Sequence, residues 1–208
     1  MTGILPRTRD PLVRIGALAA IGGPLLYAAV VGVTGYLTPG YDPLTQWISE
    51  LGATGALYAD LFNVLGPGIF GLLSVIFAAG IWRALKGGPL AFAAAALVTI
   101  AGIAGILEGV FPCDPGCVPV TAAGSLHLAI GIIPLLAMLA AMEIFAFTVR
   151  KDRAWPGFFV FSQALVVLTV IFAIAFSSDS TLDGLYQRIM IGAMLVWVMA
   201  VGVRMWRL

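Results

Sequence analysis

Six runs of nearly unbroken apolar residues, each long enough to cross a bilayer, alternate along the chain with short polar patches. They cover residues 15–37, 61–85, 89–111, 120–147, 156–176 and 185–205. A hydrocarbon core roughly 30 Å thick takes about 20 apolar residues of helix. Continuous hydrophobicity, rather than a 3.6-residue period, carries the assignment. Barrel strands would instead show segments of about 10 residues with alternating polarity. The first run is too long for a signal-peptide core and lacks a clear cleavage motif, so it is read as a retained helix. The predicted fold class is all-α: a six-transmembrane-helix bundle forming one integral membrane domain over residues 1–208.

The polar patches set the expected orientation. Arg7, Arg9 and Arg14 precede the first run, Arg83 and Lys86 follow the second, Arg150, Lys151 and Arg153 follow the fourth, and Arg204 and Arg207 close the sixth. Ten of the eleven Lys and Arg residues thus fall on one side. The positive-inside rule makes that side cytoplasmic and puts both termini there, as a multi-pass protein of the cell (cytoplasmic) membrane. The other side carries Asp42, Glu50, Asp60, Asp114, Asp179 and Asp183, with Glu108 near the outer end of the third run and Arg188 as its one basic residue.

Composition narrows the picture further. The chain is 61% hydrophobic and 10% charged, with a mean hydropathy of +1.06, whereas soluble domains carry about 25% charged residues. Six spans and their loops nearly exhaust the chain and leave no room for a soluble domain. No block of Lys and Arg is long enough to track phosphates, which excludes a nucleic-acid partner.

The connection between the first two runs has a pattern of its own. Asp42-Pro43 has the form of an N-cap with proline at the first helical position, and Gly52 stands where a terminal glycine belongs. Leu44, Trp47, Ile48 and Leu51 share one apolar stripe, with Gln46, Ser49 and Glu50 on other faces. The pattern predicts a short interfacial amphipathic helix, flanked by Tyr36, Tyr41 and Tyr58 at headgroup depth. It would be either a lid over the outer end of the bundle or a re-entrant connector with a wet face.

Cys113 and Cys117 bracket Asp-Pro-Gly in the second outer loop. A structural disulfide is expected there on an oxidising side, with redox chemistry, metal ligation or free thiols as the alternatives. The spacing is not that of a thiol oxidoreductase, and two cysteines with one histidine do not make a four-ligand zinc site. No metal and no cofactor are expected. Gly102, Gly105 and Gly109 lie along one stripe of the third run, and Gly66, Gly68 and Gly71 offer a similar surface on the second. In lipid, close approach at small residues supplies helix packing, so these read first as helix contacts. No internal repeat supports an inverted-repeat transporter.

The remaining candidates are polar groups at membrane depth, which are costly unless paired or facing water. His127, the only histidine, lies inside the outer end of the fourth run, with Ser125 close by in sequence. Glu108 lies about one turn inside the third run, and Gln187 and Arg188 open the sixth. With Ser49, Glu50 and Asp114 above them, they have similar depth on the same side. Arg188 paired with Glu108 or Glu50 would simply pin helices together. Alternatively Glu50, Glu108, His127, Gln187 and Arg188 form a ligand-binding site, or His127, Asp114 and Ser49 act in catalysis.

Asp42-Pro-Leu-Thr-Gln-Trp-Ile-Ser-Glu-Leu-Gly, Asn63 with Gly66, Phe111-Pro-Cys-Asp-Pro-Gly-Cys, His127 and Gln187-Arg188 together resemble the prokaryotic membrane family catalogued as domain of unknown function 998. The resemblance covers nearly the whole chain. It implies a six-helix membrane protein and brings no activity, cofactor or substrate. Its recurring polar positions coincide with the outer cluster.

Two functions follow as expectations. The first is a protein that binds a lipid or small molecule at an outer polar pocket, or serves as an accessory subunit, with membrane lipids and membrane proteins as partners. The second is an intramembrane lipid hydrolase or transferase. There His127 would be the general base, Asp114 or Glu108 would orient it, Ser49 would be the nucleophile and Arg188 would hold an anionic head group. A Ser49 hydroxyl roughly 3 Å from a His127 nitrogen would favour the enzyme. Retinal attachment lacks a lysine within a helix, and one histidine excludes bis-histidine haem. Filter motifs for a channel are missing, and Glu143 alone is too little for a proton-coupled transporter.

Overall fold

A computed structural model describes residues 10–178 and 181–208, so Arg7, Arg9 and Asp179 of the charge pattern lie outside the described residues. Six helices are long and apolar enough to cross a membrane: α1 (Pro11–Leu37), α2 (Ala59–Ala84), α3 (Pro89–Val110), α4 (Ala122–Val149), α5 (Phe158–Phe176) and α6 (Asp183–Arg207). No strand occurs among the described residues. Each predicted run corresponds to one helix, with ends displaced by a few residues.

Local chemistry fixes those ends. Asp10 caps α1, its Oδ1 accepting from the Leu12 N–H at 3.0 Å, and Pro11 fills the first helical position, where a missing N–H costs nothing. The Asp10 Oδ2 also meets Arg83 Nη2 at 2.7 Å, tying the start of α1 to the end of α2. Gly87 and Gly88 turn the chain through positive φ into Pro89 of α3. Thr121 caps α4 through its hydroxyl.

The helices pack in chain order, and α6 closes back on α1 to complete a ring. Small residues set the closest crossings. A Cβ on Gly80 would lie 2.7 Å from the Gly16 Cα, so α1 and α2 touch backbone to backbone; Gly102 of α3 fits against the Gly71 carbonyl of α2, and Gly202 of α6 against Ala20. At the basic end the interior is filled. Phe145 stands edge-on to Trp155 at 5.0 Å and to Trp197 at 5.2 Å, in one buried cluster with Phe77, Met142 and Met205. The indole of Trp197 donates to Ser162 Oγ at 2.9 Å, so its buried polar edge is satisfied.

Two departures from regular structure occur at the other end. In α2 the stretch Val64–Gly68 is a π turn, with the Ile69 N–H reaching back to the Val64 carbonyl. Pro67 explains it. Without an N–H it cannot donate to the Asn63 carbonyl, and the ladder widens by one residue.

The second departure corrects the predicted amphipathic helix over 42–52. Asp42 caps a turn instead, accepting from the Leu44 N–H at 2.9 Å and the Thr45 hydroxyl at 3.0 Å, and only Ile48–Gly52 is helical, as a 3-10 turn. Helix α6 has taken the backbone groups that a longer helix needs. The Leu44 carbonyl accepts from the Leu185 N–H at 2.9 Å, and the Ile48 N–H donates to Gln187 Oε1 at 2.6 Å. In a regular α-helix those two groups would bond each other. Ile48 and Leu51 are buried as the stripe predicts, but Leu44 is exposed.

Candidate functional site

Between the 3-10 turn and the filled core, the ring is hollow. A cavity of about 630 Å³ is walled by all six helices and by Trp47–Ser49 of the first connection. A smaller apolar recess of about 120 Å³ lies against it, sharing Tyr27, Pro67, Glu108, Pro134, Ile191 and Met194. Pro67 of α2 and Pro134 of α4 both stand on the wall. Each leaves the carbonyl four residues earlier without its helical partner and pushes its helix off a regular path. At Asn63 the π turn moves that bond on by one residue, and α3 approaches this carbonyl closely, because a Cβ on Gly109 would lie only 2.6 Å away.

Four of the candidate side chains reach this cavity: Ser49, Glu108, His127 and Gln187. Glu108 is the most exceptional. No hydrogen bond or ion pair joins it to a described residue. Its Oε1 lies where Gly131 offers no side chain, at 3.0 Å from the position a Cβ would take. His127 Nδ1 lies 2.8 Å from the Phe111 carbonyl. A carbonyl only accepts, so Nδ1 carries the hydrogen and Nε2 of the neutral ring keeps its lone pair. A backbone carbonyl therefore orients the imidazole, in place of the expected carboxylate. Gln187 spends its carbonyl oxygen on the Ile48 N–H, which leaves its amide N–H groups for the cavity side.

Ser49 does not pair with His127. Its hydroxyl donates to Cys117 Sγ at 3.3 Å, and the 3 Å contact that would make a nucleophile and base is absent among the described residues.

The other candidates build the end of the bundle. Cys113 and Cys117 form a disulfide, Cα to Cα 5.0 Å. Asp114 between them accepts from the Val120 N–H at 2.8 Å, the Thr121 N–H at 2.7 Å and the Thr121 hydroxyl at 2.8 Å. Those donors, the Thr121 and Val120 amides first, hold its carboxyl below the usual carboxylate range. Glu50 accepts from the Trp47 N–H at 2.8 Å and the Gln46 side-chain amide at 2.9 Å, capping its own turn. Arg188 pairs with neither Glu108 nor Glu50. Its Nη1 donates to the Gln46 carbonyl at 2.9 Å and the Gly184 carbonyl at 2.8 Å, and its Nη2 donates to the Tyr41 hydroxyl. Tyr41 in turn donates to the Trp47 carbonyl at 2.9 Å. Burial pushes its phenol up despite the adjacent guanidinium, so it stays protonated. Arg188 thus pins the first connection to α6 and does not line the cavity.

Several wall residues were not singled out as site candidates from sequence. Tyr27 reaches the cavity from the middle of α1, Asn63 from the π turn and Asp183 from the start of α6. A tyrosine amid an apolar span and an asparagine four residues before a proline were the available signals. Among the described residues no three His, Cys, Asp or Glu side chains gather as metal ligands would.

The chain belongs to the family described as protein of unknown function DUF998, whose model matches residues 21–204. No curated protein and no solved structure matches it.

Proposed function

We propose that the protein binds a lipid or small molecule in the cavity at its cysteine-bearing end. By the positive-inside rule this end faces the extracytoplasmic side of the cell membrane. One observation carries the reading: a hollow of about 630 Å³ inside an otherwise close-packed bundle, with Glu108, unpaired among the described residues, on its wall. Interiors are ordinarily filled to crystal-like density, and small-molecule sites run roughly 300–1,000 Å³ with few polar groups on apolar walls. Ser49, His127, Gln187 and Glu108 are such groups. Glu50 and Arg188 support the site from behind by holding the first connection in place.

The hydrolase or transferase alternative gains no observation, because the Ser49 hydroxyl is engaged with Cys117 and the His127 ring with Phe111.

Native mass spectrometry of protein extracted in mild detergent, with lipid analysis of retained molecules, tests the proposal. The wild type retains a defined molecule. Ala173→Phe, which fills the cavity from α5, loses it without loss of thermal stability. A wild type that retains nothing, and takes up nothing from an added lipid extract, overturns the proposal and points to partner membrane proteins. A processed product whose formation stops in His127→Ala would restore the enzyme.

A further inference from the structure

We infer that the molecule taken up in this cavity is a hydrophobic amine, its protonated nitrogen set against the Glu108 carboxylate and its apolar body along the walls toward the membrane. This rests on the cavity being a binding site, and it assigns the ligand's charge and its route of entry.

Charge is the first ground. The formally charged side chains on the cavity wall are Glu108 and Asp183, both acidic, and no Lys or Arg is among the lining residues. Arg188, the one basic residue at this end, is turned to Tyr41, Gln46 and Gly184. From its place in the sequence it looked suited to an anionic head group, and the structure reverses that expectation. An ionised carboxylate at membrane depth is costly unless a counter-charge meets it. Among the described residues none is supplied to Glu108, so a ligand cation completes the pair. His127 is on the same wall, its Nδ1 committed to the Phe111 carbonyl.

The walls are the second ground. Tyr27, Trp47, Phe62 and Phe176 line the cavity, and aromatic faces attract alkylammonium groups through the ring quadrupole.

Access is the third ground. Ile132 of α4 belongs to the cavity wall and is nevertheless 55% exposed. The hollow therefore reaches the lipid-facing flank of the bundle beside α4, where an apolar molecule arrives from the bilayer. Ser177 at the end of α5 is also both exposed and lining, which gives the opening a polar edge. An amphiphile with a cationic head matches an opening of this kind better than a free water-soluble ion does.

Three probes of equal chain length decide the matter in lipid nanodiscs by native mass spectrometry at neutral pH: dimethyldecylamine, decyl methyl ether and decanoate. The amine is expected to bind wild-type protein at least about tenfold more tightly than the ether, the scale of a charge-assisted hydrogen bond. In Glu108→Gln that preference falls to about twofold or less while the ether binds as before, and Glu108→Asp keeps it. Equal binding of amine and ether to the wild type overturns the cationic ligand and leaves the cavity a binding site for neutral molecules. Preference for decanoate overturns it in favour of an anion. If none of the three binds and Ala173→Phe changes nothing, the binding site itself is refuted, and this inference with it.

Discussion

Phe145 and Glu108 stand in the same ring of helices and in opposite surroundings. Around Phe145 the rings of Trp155, Trp197 and Phe158 meet edge to face, and the buried indole N–H has its hydroxyl partner. Around Glu108 two helices carry prolines, the π turn widens α2, and a carboxylate at membrane depth has no partner among the described residues. The same apolar composition thus packs tightly where large aromatics interlock at the basic end. It stays open where prolines hold the walls apart and the connections roof them over. Rigidity and vacancy are divided between the two ends of one bundle, and the contrast marks the end of the proposed site without reference to any motif.

Truncations test that division most severely. Phe145→Ala should cost about 3–5 kcal/mol, as large core truncations do. Leu128→Ala at the cavity wall should cost about 1 kcal/mol or less, because its site is already partly empty. Unfolding midpoints in one detergent compare the two; equal losses would mean the hollow end is as well packed as the filled one. A smaller contrast separates glycines. Gly80→Ala sets a Cβ 2.7 Å from the Gly16 backbone and 2.8 Å from Met205 Cε, so α1 and α2 must part, at about 1–3 kcal/mol. Gly22→Ala, with nothing within 4 Å of its new Cβ, should leave the midpoint unchanged or slightly raised.

Arg188→Met sharpens the comparison at the roof. Losing the bonds to Tyr41, Gln46 and Gly184 should cost about 1–2 kcal/mol. Hydrogen exchange should rise over residues 41–50 and stay unchanged over 145–162; a uniform rise would make Arg188 a global rather than a local support. The smallest effect concerns acid. The native Asp114 carboxyl is held below its ordinary value, so its contribution is complete above the unfolded carboxylate pKa near 4. It fades as the pH falls through the lower native value. Exchange over residues 113–121 should therefore quicken in strong acid, and Asp114→Asn should flatten that dependence.

The six spans were legible because hydrophobic length is a property of the sequence alone, and so was the disulfide, whose two cysteines lie four residues apart. The turn at 42–47 was not. Its stripe and caps do favour a helix, but the decisive bonds come from Leu185, Gln187 and Arg188, far along the chain. The depth of Glu108, His127 and Gln187 was readable from their places in the runs. That Arg188 turns away while Glu108 stays alone was not, since side-chain direction near a helix end depends on what the neighbouring loop offers. The void itself had a faint signature in Pro67 and Pro134, which mark where helices deviate without telling whether the space is filled.

Ring closure also imposes an order of assembly. Each of α2 to α5 can settle against the helix made just before it, but α1 must wait for α6 to acquire its second flank. The first connection must wait as well, since its backbone bonds are completed by residues 185–188. As the chain is synthesised from its N-terminus, the chamber stays unroofed and its polar walls uncovered until the last span arrives. A single late event then shuts the ring and fastens its cover, and until it happens no partial bundle has a finished interior to offer.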